Sequence, residues 1–438
     1  MHFCYFCRRF QIAKRSFEIT MKNWFGFLFS NKRVLNFGFL FNFFSSFGQT
    51  FFISLFVPFW VESIKISNTA FGSLYASVTI VAAVLLSQSG GYIDKMPLKK
   101  YGWIVFSGLI VSVIVLSQAN NFVWLAIGLL LVRWFGQGLM THTSSTGIAK
   151  HFESNRGKAL GITSLGHPAG QFVLPLLIVP LIAFAGWRAS LLYTALVAVL
   201  VMVPSLWAIK SSEGIVPDAA SENQPIDTKN NNYLKTIKFW IIAVNIFTIP
   251  FICTAVFLYQ YTIGQSKGWD IAWVAFSFAF YAIFNAISLL FSGSLVDRYS
   301  GRLLFPLYLF PAIVALAFMY FSDFKWIGPL FYALLGISSG LGSTIKTALQ
   351  VEIYGAENLG KIRSYFSTIL VVSTALGAPA FGYFIDHDFS FNTIMGIAAL
   401  FVIAASVASL TLWNKMSVYD AIHAKGAEHR NINTYYFH

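Results

Sequence analysis

Residues 90–100 read GGYIDKMPLKK, and residues 293–302 read GSLVDRYSGR. Each stretch has a glycine four residues before an aspartate, a basic residue directly after that aspartate, and another basic residue four positions further on. The two stretches lie 203 residues apart, and the same separation relates further residues in the two halves of the chain. These pairs are Asn42 with Asn245, Phe44 with Phe247, Gly157 with Gly360 and Lys158 with Lys361. One separation that holds without a gap predicts a duplicated unit.

Long apolar runs flank these stretches and fill most of the chain. Hydrophobic residues make up 57% of the 438 residues and charged residues only 11%, whereas soluble proteins carry roughly a quarter charged residues. Twelve runs reach the length of about 20 residues that crosses a bilayer core, and none alternates like a transmembrane β-strand. They lie near residues 34–60, 68–92, 102–118, 122–149, 158–184, 187–209, 237–262, 269–296, 303–322, 326–354, 362–386 and 390–414. The sequence therefore predicts an all-α membrane protein with 12 transmembrane helices in two six-helix halves.

Basic residues are distributed unevenly between alternate loops. Of the 30 Lys and Arg, 24 fall in the two tails and in the loops that an even number of helices places on the same side. The other six are Lys65, Arg188, Lys267 and Lys325 in the opposite loops, and Arg133 and Lys346 inside spans. The positive-inside rule then places both termini in the cytoplasm. Topology thus accounts for the formal net charge of +13 without nucleic-acid binding.

Polar intervals divide the chain into five parts. The central interval is rich in Ser, Asp, Glu and Asn and has almost nothing to bury, which is typical of a flexible linker. The predicted parts are a cytoplasmic N-terminal tail at 1–33, a six-helix half at 34–209, a cytoplasmic linker at 210–236, a second six-helix half at 237–414 and a cytoplasmic tail at 415–438.

The N-terminal tail carries basic residues but no small-residue cleavage site, so it is predicted to be retained, with Met21 as an alternative start to Met1. Cys4 and Cys7 form a lone CxxC without the second pair of ligands that a zinc site needs. No HExxH motif or paired-carboxylate arrangement occurs in the sequence. We therefore expect no metal, no cofactor, no catalytic residue and no enzymatic activity.

The two repeated stretches resemble the signature loop of the major facilitator superfamily, in which glycine, three residues, aspartate and a basic residue are followed by further basic residues. The resemblance implies a transporter that works by alternating access, with these loops acting as gates at the cytoplasmic face. The implied gating residues are Gly90, Asp94, Lys95, Gly293, Asp297 and Arg298. A glycine permits close helix approach, and an aspartate can meet cationic side chains or a helix N-terminus. The alternative is that each loop is only a solvated topological anchor.

Three other segments, 46–52, 151–166 and 352–361, resemble bacterial relatives of the monocarboxylate transporter branch of that superfamily. Two features of the branch are missing here: a lysine in the first helix, and an acidic residue with an arginine in the eighth. These groups would hold a carboxylate and a proton, so the mechanism of the branch is not carried over intact.

Arg133 lies about 16 Å into the fourth span, near the bilayer midplane. An arginine at this depth costs about 2.5 to 3.5 kcal/mol on insertion scales, so it should face a cavity or a partner. Gln137 follows at i+4, on the same face of an α-helix. Because a guanidinium binds a carboxylate in bidentate fashion, we predict a substrate anchor; the alternative is a structural arginine that donates to backbone carbonyls. Further predicted substrate-binding residues, which could equally join helices, are Gln49, Asn42, Asn245, Gln260, Tyr281 and Asn285.

Two histidines are candidates for proton coupling, because imidazole titrates near neutral pH. His142 follows Arg133 by nine residues, half a turn out of phase, and His167 lies in a Gly- and Pro-rich cluster with Gln171 at i+4. Either histidine could instead be an interhelical hydrogen-bond partner. Lys346 in the tenth span is a possible second cation, or a lysine that extends to the headgroups.

None of the 17 carboxylates falls in the middle of a predicted helix. A cationic substrate would therefore lack a counter-ion, and the sequence favours secondary active transport of a small organic anion, in the first place a carboxylate. An exporter of amphipathic compounds or drugs is the alternative within transport, and a membrane receptor is the alternative outside it. We expect a monomer in the lipid bilayer of the bacterial inner membrane, with a small-molecule substrate and no nucleic-acid partner.

Overall fold

The structure is a computed structural model that describes residues 26–152, 155–209, 232–354 and 359–412. Throughout these ranges the regular structure is helical, and they contain no β-strand. The predictions that concern Met1, Met21, Cys4 and Cys7, most of the central linker and the C-terminal tail at 415–438 lie outside the described residues.

Within described residues 32–152 and 155–208, the first half contains nine α-helices. They are α1 Lys32–Phe44, α2 Thr50–Ile53, α3 Val57–Ile64, α4 Asn68–Ser89, α5 Leu98–Ser117, α6 Phe122–Val132, α7 Thr141–His151, α8 Arg156–Ser164 and α9 Gly166–Ala208. Short irregular helices connect some of them: the 3₁₀ segments Ser45–Gly48 and Gly90–Asp94, and a π-helix at Arg133–Met140.

Within described residues 237–354 and 359–410, the second half contains eight α-helices. They are α10 Ile237–Leu258, α11 Gln260–Ser266, α12 Ile271–Tyr299, α13 Gly301–Leu307, α14 Phe310–Phe321, α15 Ile327–Tyr354, α16 Leu359–Asp386 and α17 Phe391–Leu410. A 3₁₀ segment at Asn232–Lys235 precedes α10.

Nine helices within the described residues are long and apolar enough to cross a membrane. One of these nine is the continuous run 157–208, which covers the predicted fifth and sixth spans and turns at Gly186, where φ is 77°. The predicted first span is divided among α1, α2 and α3, and the predicted tenth span, α15, carries many polar residues. The difference from twelve apolar spans therefore arises at one tight turn, one broken helix and one polar helix.

The predicted first span is broken in the middle. Ser45–Gly48 forms a 3₁₀ turn, and Gln49 has extended backbone (φ −85°, ψ 152°) before α2 begins. At the same level the chain of the predicted fourth span widens into the π-helix. Glycines face each other where these two segments cross, and a Cβ added at Gly136 would lie 2.8 Å from the backbone nitrogen of Gly48. The two irregular segments thus pack backbone against backbone.

Polar caps mark the starts of α4, α6, α12 and α17. The side chains of Ser67, Asn121, Asp270 and Ser390 each accept a hydrogen bond from the backbone N–H three residues later. Such caps contribute about 0.5 to 2 kcal/mol each. At Asp270 this backbone hydrogen bond, from Trp273, holds the pKa of the carboxyl below its ordinary value of 3.8.

Hydrogen bonds between described residues of the two halves lie at the end of the bundle where α4 begins and α16 ends. Asp386 accepts from the backbone N–H of Asn68 at 3.0 Å and from that of Thr69 at 2.7 Å. The side chain of Asn68 donates a further bond to Asp386 at 3.0 Å. Gln260 donates to Ser54 across the same interface at 2.7 Å. This end of the bundle is closed by contacts between the halves.

Candidate functional site

A cavity of about 720 Å³ lies between the two halves. Its polar lining residues are Gln49, Thr50, Gln137, Gln171, Cys253, Thr254, Tyr281, Ser339, Ser343, Lys346, Thr347, Gln350, Ser367 and Thr374. Its apolar lining residues are Phe51, Ile246, Ile249, Pro250, Phe257, Phe366 and Leu370. Both halves contribute to this space, and its volume falls in the range typical of small-molecule sites.

The first half contributes three carboxamides to the cavity, each from a different element. Gln49 stands at the break of the first span, Gln137 lies in the π-helix, and Gln171 lies in α9 one residue after Gly170. A Cβ at Gly170 would collide with Ser46, so α9 packs directly on the 3₁₀ segment. Close packing of irregular backbone is what brings these three side chains to one space.

The second half contributes one face of α15. Ser339, Ser343, Lys346, Thr347 and Gln350 recur at the spacing of a helical stripe and all line the cavity. From the neighbouring α12, the hydroxyl of Tyr281 donates to Ser339 at 3.0 Å and lines the cavity as well. Along this stripe, Ser339 and Ser343 precede Lys346 and Thr347 follows it.

Lys346 is the cation of the cavity. Its Nζ lies 5.7 Å from the centroid of the Tyr308 ring, a cation–π distance. It has no carboxylate or hydrogen-bond partner among the described residues, and no Asp or Glu lines the cavity there. The possible second cation of the sequence is therefore the positive charge that faces this space.

Arg133 is buried beside the cavity and does not line it, being only 2% exposed. Its guanidinium donates to the Gly48 carbonyl at 3.2 Å and to the Tyr75 hydroxyl at 2.8 Å, and it lies 4.7 Å from the Tyr75 ring. The hydroxyl of Tyr75 also contacts that of Thr50 at 2.7 Å, and Thr50 does line the cavity. Arg133 thus satisfies the carbonyl that the break in the first span leaves without a helical partner.

Arg133 and Gln137, which the sequence predicts on one helix face, have different surroundings in the structure. That expectation assumed a regular α-helix, whereas both residues lie in the π-helix. Gln137 lines the cavity, whereas Arg133 donates to the Gly48 carbonyl and the Tyr75 hydroxyl.

The two repeated asparagines join helices away from the cavity. Asn42 donates to the Ser144 hydroxyl at 2.8 Å and to the Thr163 carbonyl at 2.9 Å. Asn245 donates to the Ser409 hydroxyl at 2.7 Å and accepts from the Tyr308 hydroxyl at 2.7 Å. Both are buried, with their amides bonded to other helices.

Two other predicted binding residues also lie outside the cavity lining. Gln260 is bonded to Ser54 of the other half and accepts from Tyr332 at 3.3 Å, which places it in the closed interface. Asn285 lies on α12, where its backbone packs against Gly336 and Gly340. Of the eight predicted substrate-binding residues, the cavity brings together Gln49, Gln137 and Tyr281.

The two histidines are placed apart from each other and from the cavity lining. A ring nitrogen of His142 lies 3.2 Å from the Gly90 carbonyl, and the other lies 3.4 Å from the Thr146 hydroxyl. His167 packs edge-on against Phe51, at 6.2 Å between ring centroids, and Phe51 is its link to the cavity. Among the described residues, no group of three or more His, Cys, Asp or Glu could hold a metal ion.

The first repeated loop is bonded to the end of the fourth predicted span. Asp94 forms an ion pair with Lys150, and His142 contacts the Gly90 carbonyl. Lys95 lies over the ring of Tyr92, at 5.5 Å from its centroid. Gly90 packs on His142, since a Cβ there would lie 3.3 Å from the imidazole.

The second repeated loop is arranged differently. Gly293 has open space around it, and Asp297 and Arg298 are exposed, with Arg298 over the ring of Tyr299. Glu352 accepts from the backbone N–H groups of Gly301 and Arg302, at 2.6 and 2.9 Å. The acidic contact of the second half is therefore made by Glu352, at the end of α15.

Sequence reasoning did not select Gln171, Ser343 and Thr347 as site residues. Gln171 stood out only as a neighbour of His167, although it is 7% exposed and faces the cavity. The hydroxyl residues at 339, 343 and 347 recur every four residues around Lys346. This spacing predicts a polar face on the helix of the tenth span.

Two helical halves of a membrane protein with a polar cavity between them define a protein that carries small molecules across the bilayer. The family model of the Major Facilitator Superfamily matches residues 38–345, more than half of the chain. The chain belongs to the major facilitator superfamily, and it is a transporter rather than an enzyme. The resemblance that the repeated loops carry is thereby confirmed.

Monocarboxylate transporter 9 of Rattus norvegicus and of Mus musculus are each 28% identical to this chain over 177 residues. The match covers 38% of this chain and 34% of the relative, so it spans about a third of the length of these curated relatives. The likeness supports the expected similarity to monocarboxylate transporters.

Solved structures with the same fold include a bacterial homolog of the human lysosomal transporter Spinster in an inward-facing and occupied conformation. It has a TM-score of 0.68 and 13% identity, over 89% of this chain and 98% of that one. The nucleoside transporter NupG has a TM-score of 0.72 and 12% identity, over 88% of this chain and 100% of that one. At these identities the likeness shows the fold alone.

Proposed function

We propose that this protein is a secondary active transporter of a small organic anion, a carboxylate, and that Lys346 binds the carboxylate. The observation that supports this is the unpaired ammonium of Lys346 in a cavity that no described carboxylate lines. A charge in a partly desolvated space is costly without a partner of opposite sign. A carboxylate substrate supplies that partner, whereas a cationic substrate would add a second uncompensated charge.

Arg133 takes a supporting role in this proposal. Its Nη1 donates to the Gly48 carbonyl and the Tyr75 hydroxyl, its buried Nε has no hydrogen-bond partner among the described residues, and through Tyr75 it is linked to Thr50 of the cavity. We propose that it positions the break in the first span, and thereby Gln49 and Thr50, rather than binding the substrate.

The proposed transport cycle is alternating access between two six-helix halves that cross the membrane twelve times. The proposed topology, with both termini in the cytoplasm, follows from the 24 basic residues on one side. In that orientation the contacts of Asp386 and Gln260 close the outer end. Gln350 and Phe366 carry the cavity lining towards the inner ends of α15 and α16. The cavity is then accessible from the cytoplasm, and the halves rock to exchange the open side.

Coupling is proposed to arise from exchange of anions or from the proton that the substrate itself carries. His142 and His167 stay candidates for proton coupling, acting through Gly90 and through Phe51 respectively. We further propose a monomer in the bacterial inner membrane.

Counterflow in proteoliposomes tests the proposal, with a panel of mono- and dicarboxylates and with or without a pH gradient. Lys346→Gln is expected to lower exchange of the accepted acid about ten-fold or more, because a charge-assisted contact is lost, while Lys346→Arg retains part of it. Lys325→Gln is the matched control, since Lys325 is exposed outside the cavity beside Asp270. Exchange at the wild-type rate by folded Lys346→Gln would contradict the proposal.

Export of amphipathic compounds is the second candidate, and the apolar lining from Phe51 to Leu370 supports it. The same panel separates the two: no exchange of any acid, together with transport of an amphipathic dye that is indifferent to Lys346→Gln, favours the exporter.

A further inference from the structure

Three carboxamides that the first half contributes to the cavity have no hydrogen-bond partner among the described residues, and Gln350 of α15 is a fourth. Gln49, Gln137 and Gln171 all line it, and Gln171 is 7% exposed. Gln49 and Gln137 are partly buried and Gln171 is buried, and their amides line the cavity, where a ligand or water can bond them. By contrast, the amides of Asn42, Asn245 and Gln260 are each bonded to other helices. The free amide groups therefore point to a ligand.

Irregular backbone aims these amides at one space. Gln49 is the extended residue at a helix break, and Gln137 lies in a π-helix, a form that occurs frequently at functional sites. Gln171 follows Gly170, whose contact with the 3₁₀ segment leaves no room for a Cβ. Two of the three amides thus come from irregular backbone and the third from the α-helix α9.

We infer that the substrate is a hydroxylated monocarboxylate, bound with its carboxylate at Lys346 and its hydroxyl groups among Gln49, Gln137 and Gln171. A carboxamide offers one acceptor oxygen and two N–H donors. A hydroxyl both donates and accepts, so it satisfies both ends of an amide, whereas an alkyl chain satisfies neither. This inference rests on the proposed function, because it takes the carboxylate at Lys346 as given.

The charge of the cavity limits the substrate to one carboxylate. Lys346 is the one Lys or Arg in its described lining, and Arg133 is turned to Gly48 and Tyr75. A second carboxylate would only accept hydrogen bonds from amides and would remain without a cation. The volume of about 720 Å³ accommodates a six-carbon acid with bridging water.

Matched acids that differ only in hydroxyl groups test the inference on the full-length protein in detergent. The probes are gluconate against hexanoate and glycerate against propionate, with glucose as a hydroxylated compound without charge, and binding is followed by tryptophan fluorescence and by thermal stabilisation. At about a few-fold per hydrogen bond, gluconate is expected to bind about ten-fold or more tightly than hexanoate.

Substitutions test whether the amides cause the difference in affinity between gluconate and hexanoate. Gln171→Met keeps the length of the side chain and removes its amide, so it is expected to weaken gluconate binding by a few-fold or more and to leave hexanoate unchanged. Gln118→Met is the matched control, because Gln118 bonds Ser117 outside the cavity. Equal binding of gluconate and hexanoate by wild type, or gluconate binding unaffected in Gln171→Met, would overturn the inference.

The outcomes separate this inference from the proposed function. If all the acids bind equally and depend on Lys346, the function stands and the hydroxyl specificity falls. If gluconate and glucose bind equally, depend on Gln171 and ignore Lys346→Gln, the amides recognise hydroxyls but the anion function falls. If folded protein binds none of the probes, both are overturned.

Discussion

Replacing Asp386 by asparagine is expected to open the end of the bundle at which α4 begins. The carboxylate accepts two hydrogen bonds from Asn68 and one from Thr69 across the interface between the halves. It also lies at the positive N-terminus of α4, where a negative charge is stabilising. Asparagine keeps one acceptor oxygen but presents an NH₂ group to one of the N–H donors.

The magnitude follows from these contacts. One lost hydrogen bond to a charged group costs about 1.5 to 3 kcal/mol, and the exposure of Asp386 reduces the value to about 1 to 2 kcal/mol. At about 1.4 kcal/mol for each factor of ten, the closed state of this end should lose stability by a factor of roughly 5 to 30. The change acts on the balance between open and closed states and leaves the cavity lining intact.

Cys253 provides the assay, because its thiol lines the cavity and is 7% exposed. In a Cys4→Ser, Cys7→Ser background, a membrane-impermeant maleimide added from the outer side should label Cys253 roughly 5 to 30 times faster in Asp386→Asn. Asp388→Asn is the control, since Asp388 has a φ of 57° that asparagine tolerates and lies two residues further on. Unchanged labelling of Asp386→Asn from that side would refute the role of this contact.

Three other substitutions test the site and its support. Arg133→Met removes Nη1, the atom that donates to both the Gly48 carbonyl and the Tyr75 hydroxyl, so it should lower turnover and lose about 1.5 to 3 kcal/mol of stability with little change in KM; a large rise in KM alone would instead make Arg133 a substrate ligand. Gly48→Ala drives a Cβ into the π-helix backbone and should cost about 1 to 3 kcal/mol in thermal unfolding, while Gly91→Ala, in open space, should cost little. At Asp270 the pKa lies below 3.8, so the charged cap stabilises the fold at neutral pH and loses its effect as the pH falls through the folded-state pKa. The stability gap to Asp270→Asn should therefore shrink as the pH falls below the ordinary value of 3.8, and a constant gap would contradict this.

The fold class was predictable because it depends on the repeated motif and on the length of the apolar runs, both of which can be read from the sequence. The repeat of Gly90, Asp94 and Lys95 at a separation of 203 residues led to the superfamily, and the match to residues 38–345 confirms it. Apolar run length located the helices, since a bilayer fixes how many residues a span needs.

The candidate site was harder to predict because it depends on departures from regular helix. Asn42 and Gln49 lie seven residues apart, on one face of an ideal helix, yet the 3₁₀ turn between them leaves Asn42 packed on other helices and Gln49 in the cavity. No proline marks that break in the sequence; it depends on the Gly48 contact and on Arg133, which come together only after folding. The interpretation of Lys346 depended on what α15 packs against, which the sequence does not state.

The repeat explains the scaffold but not the chemistry of the cavity. At the separation of 203 residues, Arg133 corresponds to Gly336 and Lys346 to Thr143. Neither of these two cations therefore has a basic residue at the equivalent position of the other half. Gln171 corresponds to Thr374, and both line the cavity, so equivalent helices still surround the same space. The first half presents three neutral amides, two of them from irregular backbone, whereas the second presents Lys346 together with hydroxyl groups of α10, α12, α15 and α16 and the amide of Gln350. The proposed substrate, charged at one end and hydrogen-bonding at the other, matches this asymmetry. Rocking of the two halves would weaken the contacts of one half with the substrate and then those of the other.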